Sequence, residues 1–236
     1  MSIEVNIHPA QISILRELLF TPDAGYAELQ KPTGLSGDHF NFHIMRLVEL
    51  SLVERVTRGR YRLTTRGKEY ANKLDTDRNT IERQPKIAVL LAITNSADGK
   101  LYYLFQERTK HPYFGYYGFP TGKVRWGESV IDAAARELKE ETGLSADHEF
   151  KGLYHERTFQ TETDELLEDK VFLVVSCTNV QGELVEQFEG GRNVWLTVGD
   201  KSQLPKHYSS FDTELAIAVG EKSFVEEIHS YAKTQF

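Results

Sequence analysis

The chain has 236 residues, a formal net charge of −7 at pH 7, 40% hydrophobic residues and 27% charged residues. This ordinary globular composition excludes collagen-like, low-complexity and wholly disordered proteins, and the length suits two modest domains. The apolar stretch 87–93 suits a buried strand and is far shorter than the roughly 18 residues that a membrane helix needs. Residues 1–10 lack a signal-peptide pattern, and the single Cys177 cannot form an internal disulfide. We therefore expect a cytoplasmic protein without membrane contact.

The charge is unevenly distributed along the chain. Residues 1–80 carry a net charge of +1, whereas residues 81–236 carry −8. The segment 76–86 is polar, contains a proline and lacks amphipathic periodicity, which is typical of a linker. We therefore predict a first domain at 1–75, a linker at 76–86 and a second domain at 87–236.

The first domain has the pattern of a small helical unit with a hairpin. Apolar residues at helical spacing predict a first helix over 8–20, followed by a Thr-Pro-Asp turn. A short second helix over 26–30 ends before Pro32, because proline disfavours helical geometry in the residue ahead of it. Ser36 is positioned to cap a third helix. The remaining predicted elements are two strands around a glycine turn and a final helix capped by Thr65, at 52–56, 61–64 and 66–74.

The predicted hairpin is strongly basic. Six Arg and Lys side chains lie within the fourteen residues 55–68, which contain no Asp or Glu, so positive potential is concentrated there. Three helices followed by a basic hairpin resemble the winged helix-turn-helix family, an α+β domain whose third helix enters the major groove of DNA while the hairpin contacts phosphates. A winged helix used for dimerisation, with solvated arginines, is the alternative. The resemblance implies double-stranded DNA as a partner, contacted by His39, Asn41, Arg46, Arg58, Arg60 and Arg62.

The densest pattern is residues 122–144, GKVRWGESVIDAAARELKEETGL. The alanine-rich segment 129–142 favours a helix, which places Glu137, Glu140 and Glu141 at i, i+3 and i+4 on one face. Their like charges repel, and a divalent cation bound by carboxylate oxygens would convert that repulsion into attraction. The absence of nearby Cys and His pairs argues against structural zinc and favours Mg²⁺ or Mn²⁺.

This spacing agrees at all nine specified positions with the Nudix signature G-x5-E-x7-R-E-U-x-E-E-x-G-U, where U is a bulky aliphatic residue, here Leu138 and Leu144. A solvated acidic helix would explain the charge run but not the joint placement of Gly122, Glu128 and Arg136. The second domain therefore resembles the Nudix hydrolase family. The resemblance implies an α/β class of fold, an α/β/α sandwich around a mixed sheet, in which the signature forms a loop, a helix and a loop.

The resemblance also implies roles for individual residues. Nudix enzymes cleave a nucleoside diphosphate linked to another group, by attack of water on phosphorus with the help of metal ions. One of the signature glutamates accepts the proton from water, and the sequence does not choose among them. Arg136 is expected to orient the catalytic carboxylates with Glu128 as its ion-pair partner, or else to form only a surface salt bridge. The implied catalytic residues are Arg136, Glu128, Glu137, Glu140 and Glu141, and the implied metal site comprises Gly122, Glu137, Glu140, Glu141 and Glu189.

Glu189 is chosen as a further metal ligand because of its position. It lies shortly before residues 193–196, Asn-Val-Trp-Leu, and this arrangement resembles the acidic loop that precedes a tryptophan-containing strand in the family. The competing carboxylates belong to the acidic run 162–169, which is more often a solvated loop. These competitors are Glu165, Glu168 and Asp169.

The substrate-binding residues are less specified by the sequence. Residues 111–120 contain five aromatic side chains, on which a flat base could stack, or which could simply fill the core. From this segment we predict Tyr116 and Phe119 as substrate contacts. Arg108 is predicted to hold a distal phosphate, with a solvated side chain as the alternative.

The rest of the second domain is predicted from its apolar pattern. Three apolar segments, 87–94, 101–106 and 171–177, have the character of strands and flank the signature in sequence. The tail over 212–236 has apolar residues at helical spacing and is predicted to be helical, with its apolar side chains used for packing.

Two functions from different classes remain open. The first is a metal-dependent pyrophosphohydrolase acting on an ADP-ribose-like or related nucleoside diphosphate derivative, with the first domain assisting dimerisation or location on DNA. The second is a transcription regulator whose Nudix-like domain senses such a nucleotide and thereby releases or fixes the winged helix. The complete glutamate set favours turnover, and the domain fusion favours regulation. In either case we expect a homodimer.

Overall fold

The computed structural model describes residues 7–75, the backbone of 80–81, and residues 83–236. The chain divides into two compact units, Met1–Arg83 and Gln84–Phe236. Residues 76–79 and 82 of the predicted linker lie outside the described residues. Within the described ranges, no helix is long and apolar enough to cross a membrane.

The first unit combines helices with a small antiparallel sheet. In the part of this unit that the structure describes, the sheet has the strand order β1-β3-β2, and a separate short pair joins β4 to β5. The elements are α1 (Pro9–Phe20), β1 (Ala24–Gly25), α2 (Tyr26–Gln30), α3 (Gly37–Glu49), β2 (Val53–Thr57), β3 (Arg60–Leu63), α4 (Thr65–Ala71), β4 (Leu74–Asp75) and β5 (Thr80–Ile81).

Helices α1 and α3 both contribute to the core of the first unit. Ile14 and Leu15 of α1 are fully buried, and so are Phe40 and Ile44 of α3, at the helical spacing that the sequence shows. The start of α1 is fixed by His8, whose Nδ1 accepts a hydrogen bond from the backbone nitrogen of the second helical residue at 3.1 Å.

The start and end of α4 differ from prediction. Thr64 caps this helix rather than Thr65, because the Thr64 hydroxyl accepts a hydrogen bond from the Gly67 backbone nitrogen at 2.9 Å. The same hydroxyl donates to the Ser51 carbonyl at 2.7 Å, which ties the helix to the start of the hairpin. The helix ends before Leu74, which pairs with a strand instead of continuing the helical face.

The second unit is built around a mixed sheet. The strand order is β12-β13-β7-β6-β11-β10-β14, with β8 paired to β7 and β9 to β6; the pairs β6–β11 and β10–β14 are parallel. The elements are β6 (Lys86–Ala97), β7 (Lys100–Arg108), β8 (Tyr117–Gly118), β9 (Thr121–Lys123), α5 (Val130–Thr142), β10 (Ser145–Gln160), β11 (Leu166–Gln181), β12 (Gln187–Phe188), β13 (Gly191–Leu196), α6 (Phe211–Ala218) and β14 (Phe224–Tyr231).

The strand β6 divides its side chains between two cores. Val89 and Leu91 pack with Leu138 of α5 on one face of the sheet, whereas Leu90 packs with Phe211 of α6 on the other face. Successive residues of a strand point to opposite faces, so a continuous apolar run is what a strand covered on both sides requires. The predicted sandwich around a mixed sheet is confirmed for this unit.

The prediction of a helical tail over 212–236 is wrong beyond Ala218. The segment Phe224–Tyr231 is the strand β14, which pairs in parallel with residues 153–160 of β10. Alternate side chains, beginning with Val225, turn inward, and their neighbours are exposed. The spacing of the apolar residues in this segment is compatible with a helix or with a strand. The segment forms a strand because it pairs with the edge of β10.

Candidate active site

The signature helix is fixed at both of its ends by local chemistry. Ser129 caps α5, because its hydroxyl accepts a hydrogen bond from the Asp132 backbone nitrogen at 3.2 Å. At the other end Gly143 adopts a left-handed conformation with φ of +74°, which glycine reaches without the steric cost that other residues incur. The helix therefore ends at a glycine that the signature specifies, whereas its N-terminal cap, Ser129, lies at an unspecified position of the signature.

Arg136 lies at the centre of an ion-pair cluster. Its Nε and Nη2 donate to the two carboxylate oxygens of Glu128 at 2.6 and 2.8 Å, and its Nη1 donates to Glu137 at 2.6 Å and to Glu140 at 3.2 Å. The Arg136 and Glu128 side chains are only 15% and 14% exposed. Hydrogen bonds from Arg136 and from the Arg125 backbone nitrogen lower the pKa of Glu128 to about 2. The predicted Arg136–Glu128 pair is therefore present and is two-pronged.

Gly122 is required by the position of Glu137. A Cβ atom on Gly122 would lie 1.9 Å from Cδ and 2.0 Å from Cγ of Glu137, where no side chain fits. Gly122 lies in β9 and does not have a positive φ, so backbone freedom does not explain it. The glycine instead leaves the space in which the Glu137 carboxylate lies.

The three signature glutamates do not share one environment. Glu137 and Glu141 line the same cavity, whereas Glu140 is not among its lining residues and is 49% exposed. Glu140 is held outside by Arg125, at 3.2 Å, and by Arg136. Glu140 therefore differs from the other two in its exposure and in its pairing with two arginines, while one nitrogen of Arg136 contacts both Glu137 and Glu140, and a metal site formed by all three carboxylates stays a prediction.

Glu141 is a partly buried carboxylate of the signature helix. Burial raises its pKa, the hydrogen bond from Gln106 opposes that effect, and the charge of Glu137 raises the pKa further. The hydrogen bond runs from Nε2 of Gln106 to Oε2 of Glu141 at 2.9 Å. The burial of Glu141 beside the charge of Glu137 forms a place where a cation would be stabilised.

The residues present fit a hard divalent cation. Glu137 and Glu141 offer carboxylate oxygens to one cavity, which is the donor type that Mg²⁺ and Mn²⁺ prefer, and the absent Cβ of Gly122 leaves room beside them. Within the described residues, no group of three or more His, Cys, Asp or Glu side chains is arranged to hold a metal ion. The chain thus contributes two carboxylates at the cavity wall, and the third signature glutamate, Glu140, is not among the lining residues.

The cavity has a volume of about 680 Å³ and contains all three predicted substrate contacts, Arg108, Tyr116 and Phe119. Phe119 stacks on Phe211 with ring centroids 4.9 Å apart, and Tyr116 is also buried, so these rings serve the core as well as the cavity wall. Arg108 is held by hydrogen bonds to the backbone carbonyls of residues 111 and 112. Cationic side chains at this wall are Lys86, Arg108, Lys110, Lys123, Arg125 and Lys170.

The predicted additional ligand, Glu189, does not line the cavity. It is exposed on the turn between β12 and β13, whereas its neighbours Phe188 and Gly190 contribute to the wall. Asn193, four residues later, is the residue that reaches the signature helix, because its Nδ2 donates to the Glu141 backbone carbonyl at 2.8 Å. The structure therefore does not bring Glu189 to the cavity wall, and its role as a metal ligand stays a prediction.

Three buried acids of the cavity escaped the sequence reasoning. Glu168 was assigned to a solvated loop, but it lies in β11 and is buried. Glu156 of β10 and Glu214 of α6 are also buried and line the same cavity. The only local signal is that each of these residues lies on the buried face of its strand or helix. That signal can be used only once the boundaries of the strands and helices are known.

The predicted DNA contacts lie on exposed parts of the first unit, but most of the arginines have acidic partners. His39 and Asn41 of α3 are exposed, and Arg58 is exposed on the hairpin turn with no ion pair within the described residues. Arg60 donates to Asp23 at 2.8 Å. The other two arginines pair in the same way, Arg62 with Glu54 at 2.5 Å and Arg46 with Glu49 at 3.0 Å.

Comparison with known proteins identifies the family. The NUDIX domain model matches residues 84–214, and the chain is 31% identical over 96 residues to the uncharacterized Nudix hydrolase YvcI of Bacillus subtilis, covering 40% of this chain and 59% of that protein. It is 37% identical over 82 residues to the ADP-ribose pyrophosphatase of Methanocaldococcus jannaschii, covering 33% and 46%. The chain thus spans about half the length of these curated relatives.

A solved structure shares the fold. The Nudix domain of Shewanella oneidensis NrtR, crystallised with ADP ribose, matches 65% of this chain and 96% of its own length, with a TM-score of 0.50 and 17% identity. At that identity the likeness concerns the fold alone. The family match covers more than half of the chain and includes every signature residue described above. The chain therefore belongs to the Nudix family.

Proposed function

We propose that this protein hydrolyses the diphosphate linkage of a nucleoside diphosphate derivative such as ADP-ribose, and that it needs Mg²⁺ or Mn²⁺ to do so. The observation that carries the proposal is the meeting of Glu137 and Glu141 with cationic side chains at the wall of one cavity. Oxygen ligands for a cation beside basic groups for phosphate oxygens are the combination that diphosphate hydrolysis needs. The relative that is 37% identical over 82 residues is an ADP-ribose pyrophosphatase, which supports this substrate class.

In this proposal the chain positions two carboxylates at the reacting phosphorus. Arg136 and the space beside Gly122 fix Glu137, and Gln106 fixes Glu141. A divalent cation bound there would neutralise charge on the diphosphate and lower the pKa of water. One of the two carboxylates takes the proton from the attacking water.

The cationic side chains at the cavity wall bind and orient the diphosphate. Lys110 and Arg108 lie close enough to Glu141 to lower its pKa, so phosphate oxygens held by them would lie beside the carboxylates. Arg108 is held by backbone carbonyls and offers its guanidinium in one orientation. A fixed cation costs less conformational entropy on binding than a mobile one does.

We further propose that the first unit is a winged helix that binds double-stranded DNA, which would make the protein a regulator as well as an enzyme. The supporting observation is the order of its elements, with α3 followed by the β2–β3 hairpin and with His39, Asn41 and Arg58 exposed. In a homodimer, two such helices would contact two half-sites about one turn of DNA apart. Nucleotide binding could then alter DNA affinity if it favours one arrangement of the two units.

Hydrolysis is tested with a panel of nucleoside diphosphate derivatives, with Mg²⁺ or Mn²⁺, by following the phosphate products. Glu137→Gln should lower kcat at least about a hundredfold while nucleotide binding persists in calorimetry, because the charge is lost and the shape is kept. The matched control is Glu149→Gln, an exposed glutamate on β10 whose ion-pair partner among the described residues is Lys151. Tight nucleotide binding by the wild type without turnover of any panel member would instead favour a nucleotide sensor.

A further inference from the structure

Two neutral amides contact Glu141 of the signature helix. Nε2 of Gln106 donates to the carboxylate oxygen Oε2 of Glu141 at 2.9 Å, and Nδ2 of Asn193 donates to the backbone carbonyl of Glu141 at 2.8 Å. The side chain and the main chain of this one residue thus each have an amide donor of their own. The Glu137 carboxylate, by contrast, contacts the charged guanidinium of Arg136.

The two amides come from directly opposite positions of neighbouring strands. Gln106 of β7 and Asn193 of β13 are partners in the antiparallel register of these strands. Successive residues of a strand alternate between its faces, so both side chains share the face of Leu104 and Trp195. That face packs in one core cluster with Leu138 of α5. The sheet therefore brings both amides to the signature helix from positions that are distant in sequence.

Asn193 ties the last turn of the signature helix to the segment before β13. Its Nδ2 also donates to the Val185 carbonyl at 2.7 Å, while the Val185 backbone nitrogen donates to the Thr142 carbonyl at 2.9 Å. The last carbonyls of a helix have no partner within the helix, so these bonds satisfy groups that would be costly to bury unpaired. Asn193 is only 4% exposed, and it fixes the backbone of Glu141 relative to the sheet.

Gln106 fixes the direction of the Glu141 carboxylate at the wall of the cavity that both residues line. Its single N–H donor engages Oε2 of Glu141 and leaves Oε1 for a cation. An arginine fork engages both carboxylate oxygens, as Arg136 does with Glu128, and its charge repels a divalent cation. A neutral amide therefore orients a metal ligand without competing with the metal.

We propose that Gln106 and Asn193 act as a cross-strand amide pair that positions Glu141 as a metal ligand and thereby sets the affinity of the site for Mg²⁺ or Mn²⁺. This inference rests on the proposed function, in which Glu141 binds the metal ion. Hydrogen-bond partners of metal ligands typically contribute about ten- to hundredfold to metal affinity or activity. Neither amide belongs to the signature, so the pair is a contribution of the sheet to the metal site.

A purely structural role is the alternative for both amides. In that role Gln106 would only fill space on the sheet, Asn193 would only satisfy helix carbonyls, and metal affinity would not depend on the Gln106 donor. Gln106→Met separates the two roles, because methionine has a similar size and flexibility but carries no N–H donor.

The test measures binding of Mn²⁺ to the full chain without nucleotide, through the electron paramagnetic resonance signal of the free ion. Gln106→Met should weaken this binding about tenfold, because the Glu141 carboxylate loses its orientation. Tm should fall by no more than about 4 °C, because one hydrogen bond is lost and the volume is kept. The matched control is Gln160→Met on β10, outside the cavity wall, which should leave Mn²⁺ affinity within about twofold.

A second background shows whether the effect passes through Glu141. In Glu141→Gln that ligand is absent while Glu137 remains, so adding Gln106→Met should change Mn²⁺ affinity by less than about twofold. Asn193→Ala should weaken Mn²⁺ binding in the wild type and likewise add little in this background. In kinetics, both amide variants should raise the Mg²⁺ concentration for half-maximal rate, while KM for ADP-ribose at saturating Mg²⁺ stays within about twofold.

Each remaining outcome decides the inference. Unchanged Mn²⁺ affinity in Gln106→Met would overturn it, and so would equal losses in the wild-type and Glu141→Gln backgrounds, because the effect would then not involve that carboxylate. Failure of the wild type to bind Mn²⁺ would also overturn it. If Asn193→Ala does not fold, Gln106→Met decides alone. Absence of hydrolysis by a wild type that binds Mn²⁺ would refute the proposed function only, and the comparison of the two backgrounds would still decide this inference.

Discussion

The signature helix and the basic hairpin both concentrate charge, yet they arrange it differently. In the signature, the guanidinium of Arg136 contacts three carboxylates, and Arg136 and its partner Glu128 are only 15% and 14% exposed. In the hairpin, Arg62 contacts the single carboxylate of Glu54, and these side chains are 54% and 46% exposed. Only the cluster around Arg136 holds its side chains in fixed positions relative to one another.

This difference shows what spacing adds to charge. Shared contacts within a partly buried cluster hold each member in one position, so moving one member moves the others. An isolated surface pair is worth only about 0–1 kcal/mol, and its loss affects little beyond itself. Substitutions in the signature should therefore alter activity through geometry, whereas those in the hairpin should act only through the charge removed.

The largest expected effect comes from Gly122→Ala. The added Cβ would lie 1.9 Å from Cδ of Glu137, so that carboxylate must move by more than 1 Å to reach ordinary contact. Misplacement of a catalytic group by about 1 Å can cost about a hundredfold in rate, and we expect that loss in kcat. Steady-state kinetics with ADP-ribose and Mg²⁺ provide the measurement.

A second glycine gives the control for Gly122→Ala. Gly199 has no positive φ, and a Cβ there meets nothing closer than 3.7 Å, so Gly199→Ala should leave kcat within about twofold. Equal activity of the two variants would mean that the position of Glu137 is unimportant. The signature cluster would then affect activity only through its charge, as we expect for the hairpin.

The next effect in size comes from Arg136→Lys. Lysine keeps the charge but cannot bridge Glu128 and Glu137 with a planar fork, so the carboxylates lose their fixed positions. We expect kcat to fall about tenfold or more, with a lower Tm. The same replacement in the hairpin, Arg62→Lys, should leave kcat within about twofold. A comparable loss of kcat in both variants would show that activity depends no more on the geometry of the Arg136 cluster than on the exposed Arg62–Glu54 pair.

The signature itself was readable from sequence because it specifies local geometry. Gly122, Glu128 and Arg136 lie within one loop and helix, where spacing along the chain decides which side chains meet. The pairing of Glu140 with a side chain outside the specified positions was not readable. It depends on Arg125, whose position in the signature is unspecified and whose side chain pairs with Glu140 at 3.2 Å.

The three buried acids of the cavity show where sequence reasoning ends. Glu156, Glu168 and Glu214 lie on three different elements, and only the pairing of β10 with β11 and the packing of α6 bring them together. A charged residue in an acidic run is usually solvated, so Glu168 alone gave no reason to expect burial. The strand β14 was missed for a similar reason, since its pairing partner is distant in sequence.

A smaller effect concerns the acid sensitivity of the Glu128 pair. Hydrogen bonds from Arg136 and Arg125 lower the pKa of Glu128 from 4.5 to about 2, so its contribution to stability is complete above pH 4.5 and is lost as the pH falls towards 2. Glu128→Gln should therefore lower Tm at pH 6, and the difference from the wild type should shrink steadily between pH 4.5 and 2. Thermal unfolding at several pH values measures this. A difference that stays constant with pH would show that the pair does not act through charge.

The smallest expected effect separates the arginines of the hairpin. Arg58 is exposed and lacks an ion pair within the described residues, so in the proposed DNA complex it is free to contact a phosphate. Arg58→Ala should weaken binding to a selected genomic fragment about fivefold at 0.1 M salt and reduce the slope of log K against log salt by about 1. Arg62 already neutralises Glu54, so Arg62→Ala exposes that carboxylate and releases no free cation. Any effect of Arg62→Ala on affinity should arise from the uncovered negative charge of Glu54. The double variant Arg62→Ala with Glu54→Ala removes that charge and should therefore abolish the effect. If Arg58→Ala leaves both affinity and salt slope unchanged, the hairpin does not contact DNA, and its charges serve only the surface of the first unit.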